Sequence, residues 1–250
     1  MKSLVSRKVW FALVATSMAL LFAGPAAGDG DVLAEVDDAV NRWKTLDYRY
    51  SITTQKKNGD MSTLQLRMRM KAGEDNKQMT EIAAPADMKG TKVLILSREQ
   101  MYIYLPAMKK IRRIASHVNS KAFLGTALSA DDMSLTRYSR YYDVVKQKDD
   151  GEFVFLKLKA KSDAAPYPRI ALKVEKKRWL PVAVKMYNAD GKVIKEEKRE
   201  GYTCTDDFCA PAVMKFKNNA TGMRTVLMLT SSQVNEPIDD NIFTKRYLTK

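Results

Sequence analysis

From about residue 46 the chain alternates. Leu64, Leu66, Met68 and Met70 fall on one side of an extended backbone and Gln65, Arg67, Arg69 and Lys71 on the other. That is the period-two pattern of a strand with one buried face. Residues 48–54 share the period, and Lys57-Asn58-Gly59-Asp60 between the two stretches reads as a hairpin turn, since Asn-Gly accepts the positive φ angles such a turn needs. Short strands are predicted at 78–82, 91–96, 101–105, 142–148, 153–161, 169–175, 181–187, 192–202, 212–217 and 224–235. Asp149-Asp150-Gly151 and Asn188-Ala189-Asp190-Gly191 are turns between neighbours. About eleven strands at close intervals predict a large antiparallel sheet or a barrel.

Two stretches depart from this period. Val32, Val36, Ala39, Val40 and Trp43 recur at helical spacing, with Glu35, Asp37, Asp38 and Arg42 largely elsewhere, so an amphipathic helix precedes the strands. Between 106 and 140 alternation is lost and small or helical residues take over. Ser129 as N-cap, with Asp132 three residues on, starts a short helix there. A sheet interrupted midway by about 35 residues of loop and helix suggests a lid or plug over an open barrel.

The first thirty residues set the compartment. Lys2, Arg7 and Lys8 precede an apolar run at 9–22 and then Ala23-Gly24-Pro25-Ala26-Ala27-Gly28, the order of a secretory signal peptide. The run is too short to span a bilayer, which takes roughly 20 residues. Residues 1–28 are read as the leader and 29–250 as one domain, and with no cysteine beside the cleavage site a lipid anchor is not expected.

Export changes how the remaining composition is read. The chain carries +14, and the loss of three basic leader residues leaves +11. Outside the cytoplasm such charge points to anionic lipid, lipopolysaccharide or an acidic protein, not to nucleic acid, although alternating lysines such as Lys157, Lys159 and Lys161 also suit a solvated sheet face. The two cysteines, Cys204 and Cys209, read as a disulfide closing a short local loop.

Candidate chemistry is sparse. His117 is the single histidine, in the irregular segment, and is read as a surface residue; no imidazole metal cluster, nucleophile elbow or phosphate-binding glycine loop is present. Asp131-Asp132 reads as helix-start chemistry, because adjacent helical residues point in different directions. Nothing makes a positive case for an enzyme, a cofactor or a metal. The inward positions of the strands are rich in Leu, Val and Met, and by pattern they fit either an ordinary core or a cavity for a variable apolar guest.

The stretch 101–114, reading MYIYLPAMKKIRRI, followed by Phe123-Leu124-Gly125-Thr126 and Ala130-Asp131-Asp132-Met133, resembles the outer-membrane lipoprotein-sorting (LolA-like) family, nearest to a branch with a Tyr-Leu-Pro turn, an Arg-Arg stretch and a Phe-x-Gly-Ser element. Val234-Asn235-Glu236-Pro237-Ile238-Asp239-Asp240, then Phe243 and Leu248, is similar to that family's ending. The family's lid-latching Arg-Pro after the third strand reads here Met70-Lys71-Ala72-Gly73, so that latch does not carry over.

The resemblance implies a mainly β fold with some α, an incomplete antiparallel barrel whose open side is covered by the N-terminal helix and short helices. It implies an acyl-chain cavity, for which Leu64, Leu66, Met68, Met70, Tyr102, Tyr104, Val154, Leu156, Leu158, Leu172, Val184 and Met186 are the expected lining. Phe123, Leu124, Gly125 and Met133 would belong to the lid, and Lys109, Lys110, Arg112 and Arg113 to a docking surface for headgroups or a membrane partner, unless they are a solvated loop. The implied role is a periplasmic carrier of lipid or lipoprotein acyl chains between inner and outer membranes, in transient contact with both, with an inner-membrane transporter or outer-membrane acceptor as partner. The alternative is a periplasmic sensor that uses the same half-barrel to bind a membrane protein.

Overall fold

The computed structural model describes residues 31–114 and 123–250; the leader at 1–28, and His117 with the rest of 115–122, lie outside the described residues. The chain opens with α1 (Asp31–Val40) and continues as β1 (Thr45–Gln55), β2 (Met61–Lys71), β3 (Lys77–Ala84), β4 (Lys92–Ile95), β5 (Met101–Leu105) and β6 (Lys110–Ile114). After α2 (Ala130–Ser134) come β7 (Tyr142–Asp149), β8 (Phe153–Ala160), β9 (Arg169–Glu175), β10 (Leu180–Tyr187), β11 (Val193–Thr205), β12 (Phe208–Asn218) and β13 (Arg224–Val234). Short 3-10 turns close the chain at Asp240–Phe243 and Lys245–Thr249.

All the strands join one antiparallel sheet in the order β6-β5-β4-β3-β2-β1-β13-β12-β11-β10-β9-β8-β7. Each half is a meander, and the pairing of β1 with β13 welds the halves together. The sheet does not close, because β6 and β7 end as its two free edges. These edges are consecutive in the chain, and the described part of the segment between them, from residue 123 on, packs over the open side and carries α2.

Thirteen strands among the described residues replace the expected eleven or so, and β6 falls inside the stretch read as irregular. It was illegible because Lys110, Ile111, Arg112 and Arg113 are all exposed, so no buried face imprints an alternation. As an edge strand it is guarded by cations, a common defence against edge-to-edge pairing. Other local readings hold. Gly59 turns the β1–β2 hairpin at φ +94. Ser129 and Asp132 form a reciprocal capping box on α2. Cys204 and Cys209 sit opposite each other in the β11–β12 hairpin and are disulfide-bonded.

The two halves of the concave side are filled differently. Over β8–β10, α1 lays Val32, Leu33 and Val36 against Val154, Leu156, Leu158, Ile170, Leu172, Val174, Val184 and Met186. Burying a side chain such as Val36, with no exposed surface, stabilises by roughly 1.5–3 kcal/mol. Val154, Leu156, Leu158, Leu172, Val184 and Met186 are therefore core residues, and none lines the cavity described below. Asp37 ties α1 to the lid's end by accepting hydrogen bonds from the backbone N–H of Tyr138 (2.6 Å) and of Ser139 (2.9 Å) and from the Ser139 hydroxyl (2.6 Å).

The convex side is partly covered as well. Ile242, Phe243 and Leu248 of the C-terminal segment pack on Met79, Leu94 and Tyr102, with Tyr104 alongside. Tyr102 and Tyr104 point to this outer face, opposite Ile103, which faces the lid side with Val93, Ile95 and Met101. Their assignment to the cavity is corrected accordingly.

Candidate functional site: an apolar cavity under the lid

In the other half of the concave face the sheet and the segment from residue 123 line a partly open cavity of about 270 Å³. Its floor is built by alternation: Tyr50 and Ile52 on β1, Leu64, Leu66, Met68 and Met70 on β2, Met214 and Phe216 on β12, and Leu227 on β13. Cross-strand register sets these side by side, as in Tyr50 opposite Leu66 and Ile52 opposite both Leu64 and Leu227. Trp43, just past α1, closes one side, its indole N–H donating to the Val40 carbonyl at 3.0 Å.

The roof is the lid. Phe123, Leu124, Leu128, Met133 and Leu135 face the cavity; Gly125 does not line it but turns the segment at φ +74. Leu124 itself holds φ +49, a region that branched side chains seldom occupy. Strain of this sort gathers at ligand clamps and switches. Of the expected cavity and lid residues, the structure therefore brings together Leu64, Leu66, Met68, Met70, Phe123, Leu124 and Met133.

Two ion pairs hold the lid helix. Arg98, in the β4–β5 turn, donates to Asp131 at 2.7 Å, and Lys195 on β11 donates to Asp132 at 2.6 Å. Lys195 also donates to the Ser129 hydroxyl at 2.8 Å, and the Tyr167 hydroxyl donates to Asp132. Burial pushes the Asp131 carboxyl above its ordinary range, with Arg98 opposing. Asp131-Asp132 is thus more than helix-start chemistry: each carboxylate also clamps α2 to a different part of the sheet.

Lys195 belongs to a feature that patterning missed. Inward positions of β11 are charged: Lys195, Glu197 and Arg199 face the concave side where neighbouring strands present apolar groups. Arg199 donates through Nε to Glu197 at 2.5 Å and approaches the Tyr138 hydroxyl at 3.4 Å, and Glu197, Arg199, Tyr138 and Tyr202 all line the cavity. Burial pushes the Tyr138 phenol up to about 12, against the pull of Arg199. In the sequence KVIKEEKREGY, from Lys192 to Tyr202, both faces of the strand carry charge. Nothing in it says which face is inside; the signal was the absence of any apolar face in a strand between two that have one.

The basic cluster lies apart from the cavity. Lys109 ends the turn before β6, and Lys110, Arg112 and Arg113 lie on that free edge, with Arg113 donating to the Glu99 carbonyl at 2.7 Å. Met108 and Ile111 are exposed among them.

A family model described as "-like: Uncharacterized protein" matches residues 74–250. No curated protein matches in sequence. Among solved structures, a domain described as a candidate outer-membrane lipoprotein-sorting protein from Vibrio parahaemolyticus is similar at 22% identity and TM-score 0.78, over 87% of this chain and 97% of that one. A DUF1329 family protein from Desulfovibrio piger is similar at 20% identity and TM-score 0.80, over 88% and 97%. A LolA superfamily protein from Nitrosomonas europaea is similar at 17% identity and TM-score 0.72, over 88% and 98%.

Proposed function

The chain belongs to the family matched over residues 74–250 and folds as LolA superfamily proteins do, and on that premise we propose that it is a periplasmic carrier that shields an acyl chain in its cavity. The observation that carries this reading is the placement of an apolar hollow between Leu64, Leu66 and Met68 on the sheet and Phe123, Leu124 and Met133 on a separately clamped lid. Burial contributes about 0.8 kcal/mol per methylene, so a chain of ~15 carbons resists crossing water by on the order of 12 kcal/mol. A carrier removes that barrier without bond chemistry, and the reading assigns no catalytic residue, cofactor or nucleic acid.

The cavity is just below the roughly 300–1,000 Å³ of small-molecule sites. It suits one chain with the lid down, and a cargo with several chains requires α2 to move. Donor and acceptor are membranes or proteins in them, among which an inner-membrane exporter and an outer-membrane acceptor fit the role. The β6 edge supplies the docking surface.

Leu66→Asp tests the assignment. A carboxylate in the floor abolishes binding of a fluorescent fatty-acid probe, whereas the conservative Leu66→Met retains it. Undiminished binding by a folded Leu66→Asp protein would place the acyl site elsewhere.

A further inference from the structure

The cavity has a direction. Register aligns Arg199 on β11 with Met214 on β12, Met214 with Leu227 on β13, Leu227 with Ile52 on β1, and Ile52 with Leu64 on β2. All five line the cavity. At roughly 4.8 Å per strand the row measures about 19 Å along the curved sheet, with a guanidinium at one end and only hydrocarbon or thioether beyond it.

Charge at that end has no simple structural purpose. Replacing a buried ion pair with apolar groups of similar volume is often neutral or stabilising, so a wall made otherwise of Leu, Ile and Met gains little from Glu197 and Arg199. Glu197 accepts from Arg199 Nε, which pairs the two charges and orients the guanidinium. Arg199 has five N–H donors and no acceptor, and its contacts with Glu197 and the Tyr138 and Tyr202 phenols leave donors over. What such a group recognises is oxygen, and a carboxylate best of all, through two parallel hydrogen bonds.

We propose that Arg199 is a headgroup subsite inside the cavity, taking the acyl oxygen (free carboxylate or ester carbonyl) of a single-chain amphiphile whose hydrocarbon lies along Met214, Leu227, Ile52 and Leu64. This deepens the carrier reading and rests on it. The bound chain enters with its polar end toward β11, beside the Lys195–Asp132 clamp on the lid, so that seating the head and holding α2 involve the same strand.

The experiment compares three ligands of equal chain length, below their micelle concentrations: palmitate, methyl palmitate and hexadecyltrimethylammonium. The two acyl ligands bind the wild-type protein at least tenfold more tightly than the ammonium. Palmitate well ahead of its ester identifies a carboxylate site, and parity between them identifies a carbonyl site. The double variant Glu197→Gln/Arg199→Met, which leaves no lone buried charge, loses the preference and keeps the ammonium's affinity. Equal affinities in the wild type, or a preference that survives in the double variant, overturn the subsite while leaving the carrier reading in place; failure of all three to bind removes both. Should the double variant not fold, a structure of the unmodified protein with palmitate decides: a carboxylate hydrogen-bonded to Arg199 supports the subsite, and one in solvent at the cavity mouth contradicts it.

Discussion

Lys195 is 6% exposed and its partner Asp132 3%, so the pair sits where water cannot replace either member. Lys195→Met leaves that carboxylate buried beside the Tyr167 hydroxyl and the capping box, and breaking a buried pair this way costs about 3–5 kcal/mol. A urea titration should show the loss as a lower midpoint, with partial recovery in Lys195→Met/Asp132→Asn. A single variant as stable as the parent would mean that the clamp contributes nothing. Asp37 allows a pH test with a defined sign. Burial outweighs the three hydrogen bonds it accepts and raises its pKa from the ordinary 3.8. The folded chain therefore holds that proton more tightly than the unfolded one, and Asp37's contribution to stability falls as pH rises from about 3.8 through the raised value. Asp37→Asn removes this contribution, so its stability should decline less over that interval than the parent's; identical slopes would contradict it.

At the scale of elements, what the sequence discloses depends on how many faces each strand buries. The alternation of β2 is plain because Leu64, Leu66, Met68 and Met70 face the interior while the intervening polar side chains stay outside. β5 defeats the same reading, since the lid covers one face and the C-terminal segment the other; Tyr102 and Tyr104 are apolar-facing without being in the cavity. Val154, Leu156 and Leu158 alternate just as β2 does, and only the tertiary placement of α1 makes them core. The fold class and the leading helix were legible, and the 106–140 interruption only in part, since it hides β6; the half of the barrel left hollow was not, because a wall residue and a core residue obey the same period. The β6 edge carries its own prediction. Lys110, Arg112 and Arg113 beside exposed Met108 and Ile111 combine cationic and apolar contacts suited to an anionic bilayer surface. Lys110→Glu/Arg112→Glu should reduce binding to vesicles containing anionic phospholipid by at least tenfold at low salt while leaving the unfolding midpoint within a few degrees. Unchanged binding would leave these cations as edge protection alone.

The whole molecule is one open sheet of two unequal halves. Its β7–β10 half is filled by α1; its β1–β3 and β11–β13 half is roofed by residues from 123 onward, in the segment between the two free edges. Charged β11 lies at the boundary, with Lys195 clamping the roof and Arg199 facing the hollow. The two halves meet where Asp37 of α1 holds Tyr138 and Ser139, at the end of the roofing segment. The central claim is that the hollow holds lipid. Native mass spectrometry with organic extraction, on protein purified from periplasm without detergent, tests it most directly. The account predicts an added mass that extracts as a lipid or acylated peptide and is absent from Leu66→Asp. A bare protein mass that stays bare after incubation with lipid vesicles would contradict it, and would make the cavity a packing defect under a loop.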